Sequence, residues 1–295
     1  LIMASQDGMA RLETNIGIQN KAGAKTLLLD PDGIKERFPA INTEGLAGAG
    51  FGQEGEGWMD AHLLLDLMRK GAKAAGADYI TAEVTGIDRK GNTVTGVTLD
   101  DGTQFDCGIL VNAAGPHAGY VASLADIRLA VEPRKRSVFV IDCREEIGPL
   151  TLAIDPSGVW FRPEGAFYIT GVSQDEDLDP PTDNLDVDHF LFDDVVWPAI
   201  ANRIPAFEAV KVVQSWAGHY DYHVLDQNAV LGPHPEVSNF YFANGFSGHG
   251  LQHSPGAGRG IAEKIVYGEY RSIDLNLFGY ERILANEPHF ELNVI

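Results

Sequence analysis

The sequence predicts an α/β fold of two interleaved domains, one built on a parallel sheet and the other on an antiparallel sheet with helices. Three observations lead to this prediction. An uninterrupted apolar strand within Cys107–Leu124 ends in Ala-Ala-Gly and precedes a helix opened by Pro116, which is typical of a strand buried on both faces of a parallel sheet. The stretch from Ala130 to Val213 is rich in strand signals, and a glycine-rich run from Asn244 to Gly260 joins a short strand to a helix.

Composition and charge exclude several classes of protein. The 295 residues include 44% hydrophobic side chains, enough for a substantial core of one or two domains. The net charge of -20 argues against nucleic acid as a partner, because phosphate binding needs clustered Lys and Arg. No apolar run approaches the roughly 20 residues that cross a bilayer. The two cysteines, Cys107 and Cys143, lack a second ligand at metal-like spacing, so neither a metal nor a disulfide framework is expected.

The first third of the chain alternates strands and helices. A strand and a helix are predicted within Lys25–Asn42, where Asp30 or Asp32 is suited to cap the helix. Asp60–Ala75 predicts a second helix, because its apolar residues recur at helical spacing. Two strands are predicted after it, at Tyr79–Ile87 and Thr93–Leu99.

The middle of the chain predicts an antiparallel sheet. Its four strands are Arg136–Asp142, Leu150–Asp155, Val159–Glu164 and Phe167–Ser173. An acidic, proline-containing loop, Gln174–Asp186, leads to a helix at about Asp188–Ile204. The segment Trp216–Gly232 then returns the chain to the first domain.

The glycine-rich run has the pattern of a helix start that receives an anion. The strand Phe240–Ala243 precedes it, and the helix behind it ends at Gly268. Ser254 and Pro255 suit an N-cap and a first helical position, so the helix should begin there or one turn earlier. Uncovered amides and the helix dipole then favour negative charge on a ligand. A tight turn that needs positive φ explains the glycines equally well.

The chain resembles the D-amino acid oxidase and sarcosine oxidase superfamily in three segments, Ser215–Pro235, Phe242–Glu263 and Tyr270–Ile283. Within it they are most similar to the FAD-dependent oxidoreductases associated with mitochondrial complex I assembly and to their bacterial relatives. The resemblance implies a Rossmann-like FAD-binding domain interleaved with a substrate domain made of an antiparallel β-sheet and helices. Members begin with a strand, a Gly-x-Gly-x-x-Gly turn and a helix, which hold the FAD pyrophosphate. The glycines of Gly48–Gly57 are interpreted as loop and strand edge, so we expect this first βαβ unit to be missing.

The resemblance also implies domain boundaries and cofactor contacts. The predicted substrate-domain segments are 1–57, which begins within the last part of a preceding FAD-domain helix, and 130–224. The predicted FAD-domain segments are 58–129 and 225–295. Non-covalent FAD is expected, because neither cysteine matches a known attachment position. The residues assigned to the cofactor are Val84, Ala113, Ala114, Gly115, Gly218, Gly245, Gly248, His249, Gly250 and Leu251.

Candidate catalytic residues come from the predicted substrate domain. Arg136 and Arg162 are possible clamps for a substrate carboxylate, because the arginine fork matches two oxygens, but both are equally suited to be exposed sheet charges. Tyr220 and Tyr222 share a strand face at period two and offer hydroxyls or an aromatic wall, although partly buried tyrosines are common. His219 stands where glycine-oxidising relatives place an arginine after the glycine that corresponds to Gly218.

By resemblance, the chain oxidises the C–N bond of an amino acid or N-methylated amine by hydride transfer to FAD. Sarcosine oxidases carry a lysine in the strand aligned with Phe167–Gly171, and its absence here favours a dehydrogenase that passes electrons to a carrier. One alternative is a respiratory complex I assembly factor with a structural flavin, and another is an inactive fragment. The resemblance implies an amine or amino-acid substrate, an electron-transfer or respiratory-complex partner, and a location in the bacterial cytoplasm or on the mitochondrial matrix side.

Overall fold

The structure is a computed structural model that describes residues 1–174 and 176–290. Its strands are β1 (Ile2–Ala4), β2 (Thr26–Leu29), β3 (Gly48–Gly52), β4 (Val84–Lys90), β5 (Thr93–Leu99), β6 (Gln104–Asp106), β7 (Leu110–Asn112), β8 (Val131–Asp142), β9 (Ala153–Ile154), β10 (Val159–Glu164), β11 (Phe167–Val172), β12 (Lys211–His223), β13 (Val230–Pro233) and β14 (Phe240–Asn244). Its α-helices are α1 (Met9–Lys21), α2 (Pro31–Arg37), α3 (Ala61–Ala74), α4 (Ala118–Ser123), α5 (Trp197–Arg203), α6 (Gly250–Tyr267) and α7 (Glu281–Ala285). The predicted α/β class is confirmed.

The largest sheet among the described residues has eight strands in the order β12-β8-β11-β10-β9-β1-β3-β2. Its neighbouring strands are antiparallel, except that β1 runs parallel to β9. The predicted antiparallel sheet is therefore confirmed. It is also wider than predicted, because β12 pairs along the whole of β8, from Lys211 opposite Asp142 to His223 opposite Val131.

The two faces of this sheet have different surroundings. Phe139, Ile141 and Phe161 point to one face, where they are buried against α2, α5 and the π-helical turn Phe192–Val196. Side chains alternate along a strand. The opposite face, called the open face below, therefore carries the even-numbered residues of β8 from Arg134 to Val140 and of β12 from Gln214 to Tyr222. Trp160 and Arg162 of β10 lie on the same face.

A second sheet orders its strands β13-β14-β7, with β14 parallel to β7. Its middle strand is covered on both sides: Phe240 and Phe242 pack with α4, and Tyr241 packs with α6. The prediction that the Cys107–Leu124 strand is buried on both faces is wrong, because β7 is an outer strand and Val111 is 40% exposed.

Helix α3 confirms the helix predicted at Asp60–Ala75. The Asp60 side chain caps it by accepting a hydrogen bond of 2.9 Å from the Leu63 amide. Its apolar stripe, however, contacts no core among the described residues, since Leu63, Leu67 and Met68 are 54%, 57% and 53% exposed. Helix propensity and capping therefore form α3, and packing contributes little to it.

The glycines from Gly48 to Gly52 form β3, an inner strand between β1 and β2, and not the expected strand edge. Their small size admits close neighbours, because a methyl group on Gly50 would lie 3.2 Å from Leu12 of α1. The chain then runs through a loop to α3 without the strand-turn-helix of a phosphate-binding turn.

Other boundaries differ from the predictions in detail. The chain begins with strand β1, so the prediction that it begins within a helix is wrong. The Asp30 carboxylate caps α2 as expected, accepting from the Gly33 amide at 2.8 Å. The strand predicted at Tyr79–Ile87 is wrong in its first half, because β4 begins only at Val84. Asp175 of the acidic loop and the last residues of the chain, 291–295, lie outside the described residues, and the predicted domain boundaries stay predictions. Within the described ranges, every helix is too short or too polar to cross a lipid bilayer.

Candidate functional site

The glycine-rich run folds as a strand, a tight loop and a helix. After β14, Gly245 and Gly248 adopt φ angles of +72° and +88°, which glycine reaches without steric strain. Ser247 lies between them with a φ of +46°, a conformation that costs a residue with a side chain about 1–3 kcal/mol. Helix α6 begins at Gly250, one turn before Ser254, so the earlier of the two predicted starts is correct.

Several amides at the start of α6 are open. Those of Gly248, Gly250 and Leu251 donate to no described residue, whereas the His249 amide donates to the Phe246 carbonyl at 3.1 Å. Gly248 and Leu251 are also exposed to solvent. Together with the helix dipole, the open amides form a site that favours negative charge.

Pro255 lies inside α6 and not at its first position. Its ring lacks the N–H that would donate to the Leu251 carbonyl, and the Ser254 hydroxyl donates to that carbonyl instead, at 2.9 Å. The buried face of α6 is narrower than its apolar sequence suggests. Ala257 and Ile261 are buried, but Val266 is 68% exposed, because α6 packs only on the β13-β14 side of the small sheet.

Tyr220 joins the edge of the large sheet to this loop. Its hydroxyl donates to the Ser247 carbonyl, and a methyl group on Gly248 would come within 2.5 Å of the tyrosine ring. Burial raises the pKa of Tyr220 to about 12, although the Arg136 charge acts in the opposite direction. Tyr220 is therefore a neutral donor whose ring forms one wall of the site.

Asp221, which the sequence analysis missed, holds the same loop from the other face of β12. Its carboxylate accepts from the Phe246 amide at 3.0 Å, and its carbonyl accepts from the Ser247 amide at 3.2 Å. Burial raises the pKa of Asp221, while these backbone donors lower it by less. No local sequence signal marks this role, because it depends on a loop 25 residues further along the chain.

Arg136 lies on the open face beside Tyr220, with its guanidinium carbon 4.3 Å from the ring centroid. Its Nη1 atom is 2.8 Å from Asp179 Oδ2, and its buried Nε atom has no hydrogen-bond partner among the described residues. Gly218 stands opposite Arg136 in the sheet, and nothing lies within 4 Å of the position that a side chain there would occupy. An open space therefore lies over Gly218, next to the arginine.

Tyr222 repeats the arrangement one step along the strand. Its ring lies under the Arg134 guanidinium at 4.7 Å, and the Tyr220 and Tyr222 centroids are 6.5 Å apart on the shared face. Arg134 is also paired with Glu132 at 2.9 Å and is almost completely buried. Both rings are nearly buried, at 8% and 5% exposure, beneath the two guanidinium groups.

Arg162 lies apart from these residues. By the register it is two strands and four residues from Arg136, roughly 16 Å at ordinary sheet spacing. It pairs with Glu164 and covers the Trp58 ring at 5.5 Å. The structure therefore does not bring the two candidate clamps together on one small carboxylate.

His219 points away from the tyrosines because it occupies the alternate face of β12. Its ring packs edge-on against His117 at 5.7 Å, and its Nε2 atom is buried without a partner among the described residues. His117 follows the Ala-Ala-Gly turn, in which Ala113 is exposed and Ala114 and Gly115 are half-buried.

The Ala113–Gly115 turn and the glycine loop lie at the same edge of the small sheet. β7 and β14 are parallel, and the Asn244 side chain donates to the Asn112 carbonyl at 3.0 Å where both strands end. Ligands of α/β folds bind at such carboxyl ends. Val84 is half-buried at the start of β4 and packs against the apolar cluster that includes Phe240 and Phe242.

A buried ionic cluster, also missed in the sequence, stands behind the site. The Asp226 carboxylate accepts from the His223 ring at 2.8 Å and from Arg282 Nε of α7 at 2.8 Å. Burial opposes its ionisation, but these donors and the His289 amide together lower the pKa of Asp226 well below its usual value. His223 also donates its amide to the Ser247 hydroxyl at 3.1 Å, so the cluster supports the loop.

These features fit the ring end of a flavin. The open amides of Gly248, Gly250 and Leu251 would face the part of the ring that gains negative charge, and the open space over Gly218 leaves room beside them. Hydrogen-bond donors and a wall without a side chain are the groups that such a ring requires from a protein.

Comparison with known proteins identifies the family. The family model described as DAO, FAD dependent oxidoreductase, matches residues 1–264. FAD-dependent oxidoreductase domain-containing protein 1 of Xenopus laevis is 41% identical over 327 residues, covering 100% of this chain and 66% of that protein. Human mitochondrial sarcosine dehydrogenase is 26% identical over 261 residues, covering 83% of this chain and 28% of that protein. The crystal structure of L-proline dehydrogenase from P. horikoshii superposes with a TM-score of 0.88 at 25% identity, covering 98% of this chain and 77% of that one.

The chain thus spans about two thirds of the length of the Xenopus protein. Its matching residues include the β12 strand, the glycine loop and most of α6, which are the elements that form the site. The chain belongs to the DAO family of FAD-dependent oxidoreductases, whose cofactor is FAD.

Proposed function

We propose that the protein oxidises the C–N bond of an amino acid or an N-methylated amine. The observation that carries this proposal is the set of open amides at the start of α6, beside the open face that holds Arg136 and Tyr220. Donors for a reduced flavin and a basic group for a substrate carboxylate both neighbour the Tyr220 ring. This arrangement suits a small zwitterionic substrate placed against the flavin.

When bound, FAD supplies the acceptor for the hydride that leaves the carbon next to nitrogen. The amides of Gly248, Gly250 and Leu251 stabilise negative charge without reorganising, because the loop and helix already hold them in place. FAD is held non-covalently in this proposal. Cys143 lies at the far end of β8 from Arg134, and its thiol is 3.5 Å from the Ala206 carbonyl.

The substrate meets the open face. Arg136 binds its carboxylate, and the rings of Tyr220 and Tyr222 exclude water from the reacting carbon. Two relatives are named for L-proline and sarcosine, which are both N-alkylated amino acids, and this favours a secondary amine here as well. β11 contains no lysine, so we propose a dehydrogenase that passes electrons to a carrier.

The test uses the purified chain reconstituted with FAD. We expect flavin absorbance bands after removal of free cofactor, and bleaching of those bands when L-proline or sarcosine is added without oxygen. Arg136→Met should raise the substrate concentration that gives half-maximal bleaching by more than tenfold. Bound flavin that no N-alkylated amino acid reduces would reject the proposed reaction.

A second proposal, a respiratory-complex assembly factor with a structural flavin, rested on the close match of the tail Tyr270–Ile283. The tail makes extensive contacts inside this chain: Arg282 is buried on Asp226, and Tyr280 is 3% exposed and donates to the Arg128 carbonyl. Internal packing therefore accounts for the tail without a partner, and we favour the enzyme. Co-purification with respiratory subunits, without substrate bleaching, would reverse this preference. A mitochondrial matrix or bacterial cytoplasmic location is proposed with either function.

A further inference from the structure

We propose that Asp179 is a specificity-determining residue that occupies the carboxylate position of Arg136 and yields it to the substrate. The inference rests on the proposed function, because it concerns the carboxylate of the same substrate. Asp179 belongs to the acidic strap, defined here as residues 176–188, which runs along the edge of β8. The strap places Asp179 on Arg136, whereas its later residues contact Lys135 and Ser137 on the opposite face of the sheet. Release of the strap then depends on a carboxylate ligand.

The ion pair between Asp179 and Arg136 uses only part of the arginine. The Asp179 side chain is 5% exposed, and Nη1 of Arg136, 2.8 Å from its Oδ2, is its one charged contact among the described residues. A buried carboxylate ordinarily accepts several hydrogen bonds. The pair is therefore weaker than its burial suggests.

Arg136 has unused donors. Its Nη1 atom donates to the Lys135 carbonyl at 2.8 Å, and its Nε atom is buried with no acceptor among the described residues. An arginine fork binds a carboxylate most strongly through two parallel hydrogen bonds, but Asp179 engages a single nitrogen. A free carboxylate that enters over Gly218 is not tied to a backbone and can adopt the two-bond geometry.

The strap that carries Asp179 is attached at a few polar points and by Val187, which packs against the main core. The Thr182 amide donates to the Pro133 carbonyl at 2.9 Å, and the Asp188 amide donates to the Ser137 hydroxyl at 3.1 Å. Lys135 contacts the Asp186 carbonyl and the Asp188 carboxylate, each at 2.9 Å. Asp183 pairs with His117, but both side chains are more than half exposed. Such exposed pairs add little stability.

Displacement follows from these contacts. A ligand carboxylate on Arg136 would leave the Asp179 charge buried and unpaired, which is costly, so Asp179 moves into water and carries the strap with it. The strap consequently reduces the affinity of the protein for carboxylates. Binding of a carboxylate, in turn, exposes the backbone amides of the strap to solvent. A ligand without a carboxylate leaves the strap closed.

The test titrates the purified full chain with benzoate, by calorimetry, and follows amide hydrogen exchange in the strap. Asp179→Asn keeps the shape of the side chain and removes its charge, so the benzoate dissociation constant should fall by roughly tenfold, which is about 1.4 kcal/mol. Arg136→Met should abolish binding. Asp183→Asn is the matched control, with the same charge change on the same strap, and should shift the constant by less than about twofold. In the wild type, benzoate should speed exchange at Thr182 and Asp188.

Four results would overturn the inference: no tightening in Asp179→Asn, equal tightening in Asp183→Asn, benzoate binding that survives Arg136→Met, or unchanged exchange in the strap. A lower melting temperature of Asp179→Asn with an unchanged dissociation constant would show a purely structural pair. The titration requires neither turnover nor an amine. Failure of the proposed oxidation would therefore leave this test intact, and a failed titration would leave flavin bleaching to be judged separately.

Discussion

The Tyr220 hydroxyl donates a hydrogen bond to the Ser247 carbonyl, so a strand of the large sheet is tied directly to the loop that opens α6. The two residues are 27 positions apart in sequence. Their contact places the Tyr220 ring against the open amides at the start of α6. Together with the contacts that Asp221 and His223 make to the same loop, it holds the large sheet against the small one.

Tyr220→Phe should weaken both stability and flavin retention. Removing the hydroxyl leaves the buried Ser247 carbonyl without that donor, at a cost of about 1–3 kcal/mol. Urea unfolding and the FAD dissociation constant measure the two effects. Tyr120→Phe, on a half-exposed ring, is the control and should change neither quantity. Equal behaviour of both variants would contradict a linking role for Tyr220.

Gly248→Ala should disrupt the loop. The added methyl group would meet the Tyr220 ring at 2.5 Å, and the φ of +88° is unfavourable for alanine by about 1–2 kcal/mol even without that contact. Gly258→Ala is the opposite case, because Gly258 lies inside α6 with nothing within 4 Å of the new methyl group. It should stabilise the protein by about 0.5–1 kcal/mol. Thermal unfolding of the two variants checks both signs.

Asp226→Asn should lower stability in a pH-dependent way. The folded protein lowers the pKa of Asp226, so the ionised carboxylate stabilises the fold above the unfolded pKa of about 3.9, and this contribution is lost as pH falls. Breaking the buried pair with Arg282 should cost about 3 kcal/mol at pH 7.

The gap in unfolding free energy between the wild type and Asp226→Asn should be constant from about pH 5 to 7 and shrink below about pH 4. Urea unfolding across this range measures it. A gap that widened on acidification would contradict the sign argued for Asp226. Asp183→Asn, at an exposed carboxylate, should show a small difference at every pH.

Helix α3 should tolerate polar substitutions on its apolar stripe. Leu63 and Leu67 are more than half exposed, so Leu63→Ser with Leu67→Ser removes little packing and should change unfolding free energy by no more than about 1 kcal/mol. The same change should reduce self-association, because exposed apolar patches promote it. Light scattering and urea unfolding test the pair. Leu12→Ser, at a residue of α1 that is 7% exposed, is the destabilising counterpart.

Much of the fold could be predicted from local signals. Asp30 and Asp60 cap their helices as their positions indicate, and Gly268 ends α6 in the left-handed conformation. Tyr220 and Tyr222 share a face because side chains alternate along a strand. Such features depend on neighbours within a few residues, and the sequence contains those neighbours.

Long-range relationships could not be predicted in this way. Three contacts join distant segments of the chain. They are the pair of Arg136 with Asp179, the hydrogen bond from Tyr220 to Ser247, and the buried pair of Asp226 with Arg282. The burial of β7 was wrongly predicted for the same reason, since exposure depends on which elements cover a strand.

By itself, the sequence determined the α/β class, the capped starts of α2 and α3, the end of α6, and the glycine loop with its anion-favouring amides, because capping, periodicity and glycine conformation act locally. The tertiary structure alone decided that Arg136 lies over the tyrosine that contacts this loop, that His219 faces away from the tyrosines, and that Asp179 pairs with Arg136. Those relationships depend on strand register and on contacts between distant segments, and neither is encoded in the spacing of nearby residues.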